Sequence, residues 1–393
     1  MKNNKNVLTT DNLLLFSIAL IPFSNQFVNM RGILTFFQYL PFIIIIFIFL
    51  LSKKKIYSNM NLKIIFFLFA SAFTISPILG LTIFKYDPIG NLFYIILFLI
   101  FIAAIYILVS YVNMYNFKNV FNMILIGNSI LLLYNLATHI FEIQVEDYLW
   151  ILNRIRENRP SFGYSHPNTA GMYLFLEIIL LSFGYKLNLK FKAVYPAIII
   201  IMLVFLLATG SRTAVLSTLL FFILALYSRI ISYVNIRLRV AILFSIISPI
   251  IFIYLLQFNY NDFFNSTSGR SSSIVQNIDI LSQNNGLIFG IAPINVSKLR
   301  YVIDGLTFSD NWYVTNVIQF GLIGIIIFIC NIFIIFVFLM KQKITGSMIL
   351  LWVLLFYSGA ENVMFIPGVL ISWVVWTLIL TSIKIRMEKE VLV

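Results

Sequence analysis

The chain of 393 residues is 61% hydrophobic and only 10% charged, with a formal net charge of +13. A soluble domain carries about 25% charged residues, so this composition argues against a water-soluble globular fold. One cysteine, Cys330, sits in an apolar run; it excludes disulfides and cysteine metal sites and suits a lipid-facing or packing position.

Apolar runs of the ~20 residues needed to cross a bilayer recur along the whole length. No repeat or low-complexity linker divides them, so the expectation is one polytopic, all-α membrane domain. Lys2 and Lys5 precede the first run, 13–28, and no small-residue cleavage site follows it; it reads as an uncleaved helix. Further spans are predicted at 33–52, 62–84, 89–112, 119–140, 168–186, 193–209, 213–233, 239–258, 313–340, 347–363 and 366–384, twelve in all.

Twelve spans put both termini on one side, and basic residues identify it. With the N-terminus inside, 18 Lys and Arg fall inside and 9 outside. Many flank spans on short loops (Lys53, Lys54, Lys55, Arg237, Arg239, Lys341), where the positive-inside rule applies best. Acidic residues follow the opposite pattern, giving +15 inside and −1 outside with Glu177 inside a span. The basic excess therefore faces anionic lipid headgroups, and nucleic acid is not needed to explain it.

Two intervals are too long to be turns, 141–167 and 259–312, and both fall outside. The second is expected to hold short helices lying against the membrane. A helix bundle with two elaborated loops on one face suits an enzyme or receptor working at that face.

The first interval carries Arg154, Arg156 and Arg159, balanced by Glu146, Asp147 and Glu157, then Ser165-His166-Pro167-Asn168-Thr169-Ala170-Gly171 leading into the sixth span. The arginines read equally as a headgroup anchor or as ligands. Asn168 or Thr169 is placed to cap the helix, and His166 before it reads as a base or hydrogen-bond donor. His139, near the end of a span, reads as a packed, hydrogen-bonded histidine.

Arg212, in Thr209-Gly210-Ser211-Arg212-Thr213, joins two long apolar spans with no acid near in sequence. A guanidinium at a membrane edge is expensive unless it pairs or snorkels. Either it snorkels, or it serves as a phosphate ligand, since its fork matches phosphate oxygens; Ser211 and free backbone N–H groups at a helix start would assist. Arg270, in Ser268-Gly269-Arg270-Ser271, is a second small-residue-plus-arginine site, and Arg300 lies further along the same loop. Glu177 is a candidate substrate contact by depth or the structural partner of a buried arginine. Asp304 and Asp310 close the large loop. Asp310 is a base or a cap, and Asn311 a cap or a substrate contact. There is no metal-ligand spacing, Walker glycine loop or Gly-x-Ser-x-Gly, so no metal or cofactor is expected.

In this order, Ser165–Gly171, Thr209–Arg212, Ser268–Arg270, Gly286–Gly290 and Asp310-Asn311-Trp312-Tyr313 running into Phe320-Gly321-Leu322-Ile323-Gly324 resemble the superfamily of O-antigen ligases and Wzy-type polysaccharide polymerases over most of the chain. The resemblance implies a fold like the membrane-embedded C-type glycosyltransferases in the bacterial cytoplasmic membrane. It also implies metal-independent, inverting glycosyl transfer from an undecaprenyl-pyrophosphate-linked oligosaccharide, at the outer face. Arg212 and Arg270 would handle phosphate with Arg159 assisting, and His166 or Asp310 would take the acceptor proton. A flippase and a chain-length regulator would be partners. Ligases carry a histidine just before the tenth span where this chain has Asp310-Asn311, which favours a polymerase over a ligase. A lipid-linked oligosaccharide flippase is the rival from another class; it would need charge along many spans, and Glu177 is nearly alone there.

Overall fold

The computed structural model describes residues 10–24, 32–52, 60–84, 86–148, 159–187, 189, 192–230, 270–294, 302–307 and 311–391. The expected span 239–258, with Arg154, Arg156, Glu157, Arg300 and Asp310, lies outside the described residues, as do the side chains of Glu146 and Arg270.

The described residues are helical and contain no strand. We number the α-helices α1 (Thr10–Ser24), α2 (Leu40–Leu51), α3 (Met60–Ala72), α4 (Ile75–Phe84), α5 (Pro88–Tyr111), α6 (Phe117–His139), α7 (Pro167–Lys186), α8 (Tyr195–Ala208), α9 (Arg212–Ile230), α10 (Arg270–Gln283), α11 (Trp312–Lys341), α12 (Thr345–Ser358) and α13 (Leu370–Val391). Among the described residues, seven helical stretches, α3 and α4 counting as one, are long and apolar enough to cross a bilayer, and four shorter apolar helices accompany them. The protein is a helical membrane protein.

Residues on the outside of the bundle, among them Phe47, Phe67, Ile130 and Phe333, are large, apolar and exposed. Water would penalise such a surface, whereas hydrocarbon does not. Cys330 is exposed among them. Helix α13 runs through the interior, packing against α5, α7 and α12, and 83% of its apolar window is buried. Around it Phe69 and Phe73 stack on Phe365, with centroids 4.5 and 5.0 Å away, and Phe328 and Trp376 meet the same cluster edge-on. Interlocked aromatic rings of this kind hold helices in register where lipid gives no hydrophobic driving force between them.

Three features depart from the expected spans. The run 62–84 breaks at Phe73-Thr74 into α3 and α4. The eleventh run, expected to reach 363, stops at Ser358, and 359–369 is irregular. Backbone of that kind survives at membrane depth only where protein satisfies its polar groups. Trp376 Nε1 donates to the Met364 carbonyl at 2.5 Å, and the Ile366 amide donates to Ser372 Oγ at 3.1 Å. Val363, Met364 and Phe365 are all buried.

The third departure is in the large loop. Helix α10 fits the expectation of a short helix, and 286–294 is bound to α11. It seats in a notch of α11, where Gly321 (φ 61°, ψ −176°) breaks the helix. The break exposes groups that 286–291 then uses: Leu322 and Ile323 amides donate to Leu287 and Ile288 carbonyls (2.9 and 3.2 Å), and the Ile291 amide donates to the Ile318 carbonyl (2.8 Å). Ser76 Oγ, on α4, donates to the Phe289 and Phe320 carbonyls. Both glycine-bearing stretches, 286–290 and 320–324, are thus halves of one joint.

At the other end of the bundle, Lys384 is buried and donates to the Ser110 and Val112 carbonyls at 2.7 Å, with Glu388 3.5 Å away. A cation on the carbonyls that end α5 matches the negative end of the helix dipole. Lys186, Arg229 and Lys341, in the last turns of α7, α9 and α11, gather at the same end.

Candidate functional site

The opposite end collects the polar residues. Helix α7 starts there with Pro167 at its first position, where a missing N–H costs nothing. The residue before a proline is held extended, and His166 is so (φ −154°, ψ 144°). It is the cap itself, its Nδ1 accepting the Asn168 amide at 3.1 Å. That bond assigns the tautomer: with Nδ1 accepting, the ring proton sits on Nε2. His166 is thus arranged as a hydrogen-bond donor through Nε2, and a base role would require giving up the cap.

With the cap supplied by His166, the Asn168 side chain is used elsewhere. Its Oδ1 accepts from Arg159 Nη2 at 2.7 Å, and its Nδ2 donates to Glu361 Oε1 at 2.9 Å. One amide thus links a guanidinium to a carboxylate, and its orientation is fixed because the cation takes the oxygen and the anion the nitrogen. Arg159 Nε donates to the Thr209 carbonyl, also at 2.7 Å. Gly210 (φ +58°) turns the chain here, and a Cβ on it would stand 3.1 Å from Arg159 Nε. The same turn presents Arg212, exposed, at the start of α9.

Gly171 brings α7 against this turn, where a Cβ would lie 2.6 Å from that of Ser211. Ser211 is 1% exposed, and its hydroxyl has no hydrogen-bond partner. Buried hydroxyls are nearly always satisfied, so this one is a candidate ligand contact. The segment before α7 is anchored from behind: Glu142 accepts the Ser161 and Phe162 amides at 3.2 and 3.0 Å. Burial holds the Tyr164 phenol well above its ordinary range, so Tyr164 stays protonated at neutral pH.

Asn311 caps α11, accepting the Tyr313 and Val314 amides, and its Nδ2 donates to the Gly359 carbonyl at 2.7 Å. It ties the start of α11 to the irregular segment that carries Glu361. Arg270 stands at the first position of α10; helix α10 packs on α11, and Asn277 pairs with Thr307 across the loop.

Glu177 is not in this cluster. It lies ten residues past Pro167, roughly 15 Å along the helix, is 2% exposed, and accepts from Asn128 Nδ2 at 2.7 Å and from Ser129 Oγ. Its hydrogen-bond partners on α6 are neutral, unlike the buried arginine that a structural role suggested. His139 matches the packed reading, with Nδ1 3.1 Å from the Asn135 carbonyl and Gly163 tight against the ring.

The sequence reading named Arg159, Asn168, Ser211 and Arg212, and the structure draws them around one turn. Glu361 is not among those residues, because 193 residues separate it from Asn168 and no motif marks it. Among the described residues no group of His, Cys, Asp and Glu could hold a metal ion. The arrangement offers cations, a carboxylate, fixed amide and hydroxyl groups and two helix N-termini at one end of an apolar bundle, a combination suited to an anionic headgroup and a polar chain attached to it. No protein-family model matches this chain, and no curated protein does.

Proposed function

We propose that the protein is a polysaccharide polymerase of the bacterial cytoplasmic membrane, joining undecaprenyl-pyrophosphate-linked repeat units at the outer face. Twelve spans with both termini inside, as the basic residues predict, would put the Arg159–Asn168–Glu361 cluster on that face. The convergence of that cluster with the Thr209–Arg212 turn is the observation that supports the reading.

In the reaction, the acceptor hydroxyl attacks the anomeric carbon of the donor sugar. The bond from that carbon to the pyrophosphate oxygen breaks, a glycosidic bond forms with inversion, and undecaprenyl pyrophosphate departs with its electron pair. Fixed cations stabilise the charge as it develops, and they do so more strongly at a water-poor membrane edge than in bulk water. Arg212 and Arg270 are assigned to the pyrophosphate, and Arg159 holds the turn that carries Arg212. Asn311 lines the approach, and Ser211 packs beneath the turn. The acceptor proton goes to a carboxylate, either Glu361 in the cluster or Asp310 at the loop's end. His166 donates a hydrogen bond from Nε2 to substrate oxygen, and Glu177 is kept as a support of α7.

Deletion of the gene should leave surface glycan one repeat unit long, and complementation should restore the long chains. Arg212→Ala and Arg270→Ala proteins made in normal amounts should fail to restore them. Full-length polymer stranded on its lipid would indicate a ligase instead, single units trapped inside a flippase, and unchanged glycan would remove the whole reading.

A further inference from the structure

Beside the charged cluster lies a cavity of about 340 Å³ that none of the assignments above uses. Its polar lining comes from Tyr39, Tyr94, Thr315, Asn316, Gln319 and Asn362, and the rest of its wall is apolar or proline. Among the described residues no charged side chain lines it. The volume is at the lower end of the roughly 300–1,000 Å³ that small-molecule sites occupy.

The two compartments meet in the irregular segment after α12. Glu361 accepts from Asn168 on the charged side, and Asn362, the next residue, lines the cavity. The Asn362 Oδ1 atom is buried without a hydrogen-bond partner. Burying an amide oxygen without a donor is costly, and a ligand that donates hydrogen bonds suits a wall that carries the amides of Asn316, Gln319 and Asn362. A phosphate or carboxylate offers only acceptors and would find no cation among the described lining residues. A lipid tail offers no donor and would strip the polar side chains of water. Hydroxyls and acetamido N–H groups on a flat ring meet both demands: they donate to amide oxygens, and the C–H face of the ring rests on tyrosine.

We propose that this cavity binds a neutral saccharide, the acceptor end of the incoming unit, while the charged cluster holds the pyrophosphate. The assignment to the acceptor rests on the polymerase reading; saccharide binding itself does not. The 359–369 segment then aligns the two, presenting Glu361 to one compartment and Asn362 to the other.

The test uses the full chain in lipid nanodiscs and saturation-transfer NMR with two probes, N,N′-diacetylchitobiose and the acidic digalacturonate. Saturation should pass to the neutral disaccharide and only weakly to the acidic one. Asn362→Leu and Gln319→Leu should each weaken it about tenfold, the worth of one well-made hydrogen bond, while Arg212→Ala leaves it unchanged. If Asn362→Leu lowers the melting temperature, the Gln319→Leu protein carries the same comparison. No transfer to either probe, equal transfer to both, or full transfer in folded Asn362→Leu and Gln319→Leu proteins would overturn the proposal. A deletion strain with unchanged glycan would overturn the polymerase reading and leave the NMR result standing, so the two fail separately.

Discussion

Alanine in place of Gly321 will unseat the 286–294 segment and cost the protein most of its stability. Gly321 has φ 61° and ψ −176°, a region open only to glycine. A Cβ there would stand 2.5 Å from the Gly290 amide nitrogen and closer still to the Ile288 carbonyl oxygen, both backbone atoms that cannot swing aside. Moving the segment away breaks three backbone hydrogen bonds and leaves the Leu322 and Ile323 amides and the Ile318 carbonyl without partners. Each orphaned group costs about 1–3 kcal/mol and the strained dihedral a similar amount. A total of roughly 4 kcal/mol or more would lower the folded-to-unfolded ratio about a thousandfold. Thermal unfolding in detergent reads this directly, with Gly359→Ala as the matched control. Gly359 has ordinary helical dihedrals, and a Cβ on it meets only its own helix at 3.3 Å. Wild-type melting of Gly321→Ala would show that the notch is not a structural joint.

Arg159→Ala carries the second large effect, on activity. Two bonds of 2.7 Å leave Arg159, one to the Thr209 carbonyl and one to Asn168 Oδ1. Without them the Thr209–Arg212 turn loses its brace, and the Asn168 amide loses the cation that orients it towards Glu361. Misplacing a preorganised charge in a transfer reaction typically costs a factor of about 10²–10³, and that is the expected fall in elongation rate per folded protein. Arg159→Lys should recover only part of it. A single ammonium can supply charge but not the planar fork that reaches both acceptors. If Arg159 serves merely as a headgroup anchor, the alanine protein should elongate glycan at the wild-type rate while partitioning less tightly into anionic bilayers.

The long helices were legible in the sequence, and the reason is physical. Lipid demands an uninterrupted apolar run, so 89–112, 168–186 and 313–340 match Pro88–Tyr111, Pro167–Lys186 and Trp312–Lys341 to within two residues. The breaks were not legible, because residues far away in the chain make them tolerable. Nothing in Val363-Met364-Phe365 announces an irregular backbone; it is the Trp376 indole and the Ser372 hydroxyl that satisfy it. The Gly321 notch is likewise filled by residues some thirty positions earlier. At the site, Arg159 and Arg212 stood out because the expected topology puts them outside, where the positive-inside rule disfavours cations. Glu361 carries no such signal, since an acid is ordinary at that edge, and only the fold sets it beside Asn168. His166 was legible as a polar residue at a helix start, but its proton position followed from the cap it makes.

The most direct test of the account is an elongation assay with the purified protein in nanodiscs. Lipid-linked glycan extracted from the deletion strain serves as substrate, with EDTA present throughout. A ladder of lengthened glycans accompanied by released undecaprenyl pyrophosphate, undiminished by EDTA and lost in Arg212→Ala, is the predicted result. A folded protein that leaves the extracted units unextended, or that extends them equally well with Arg212 replaced, would contradict it.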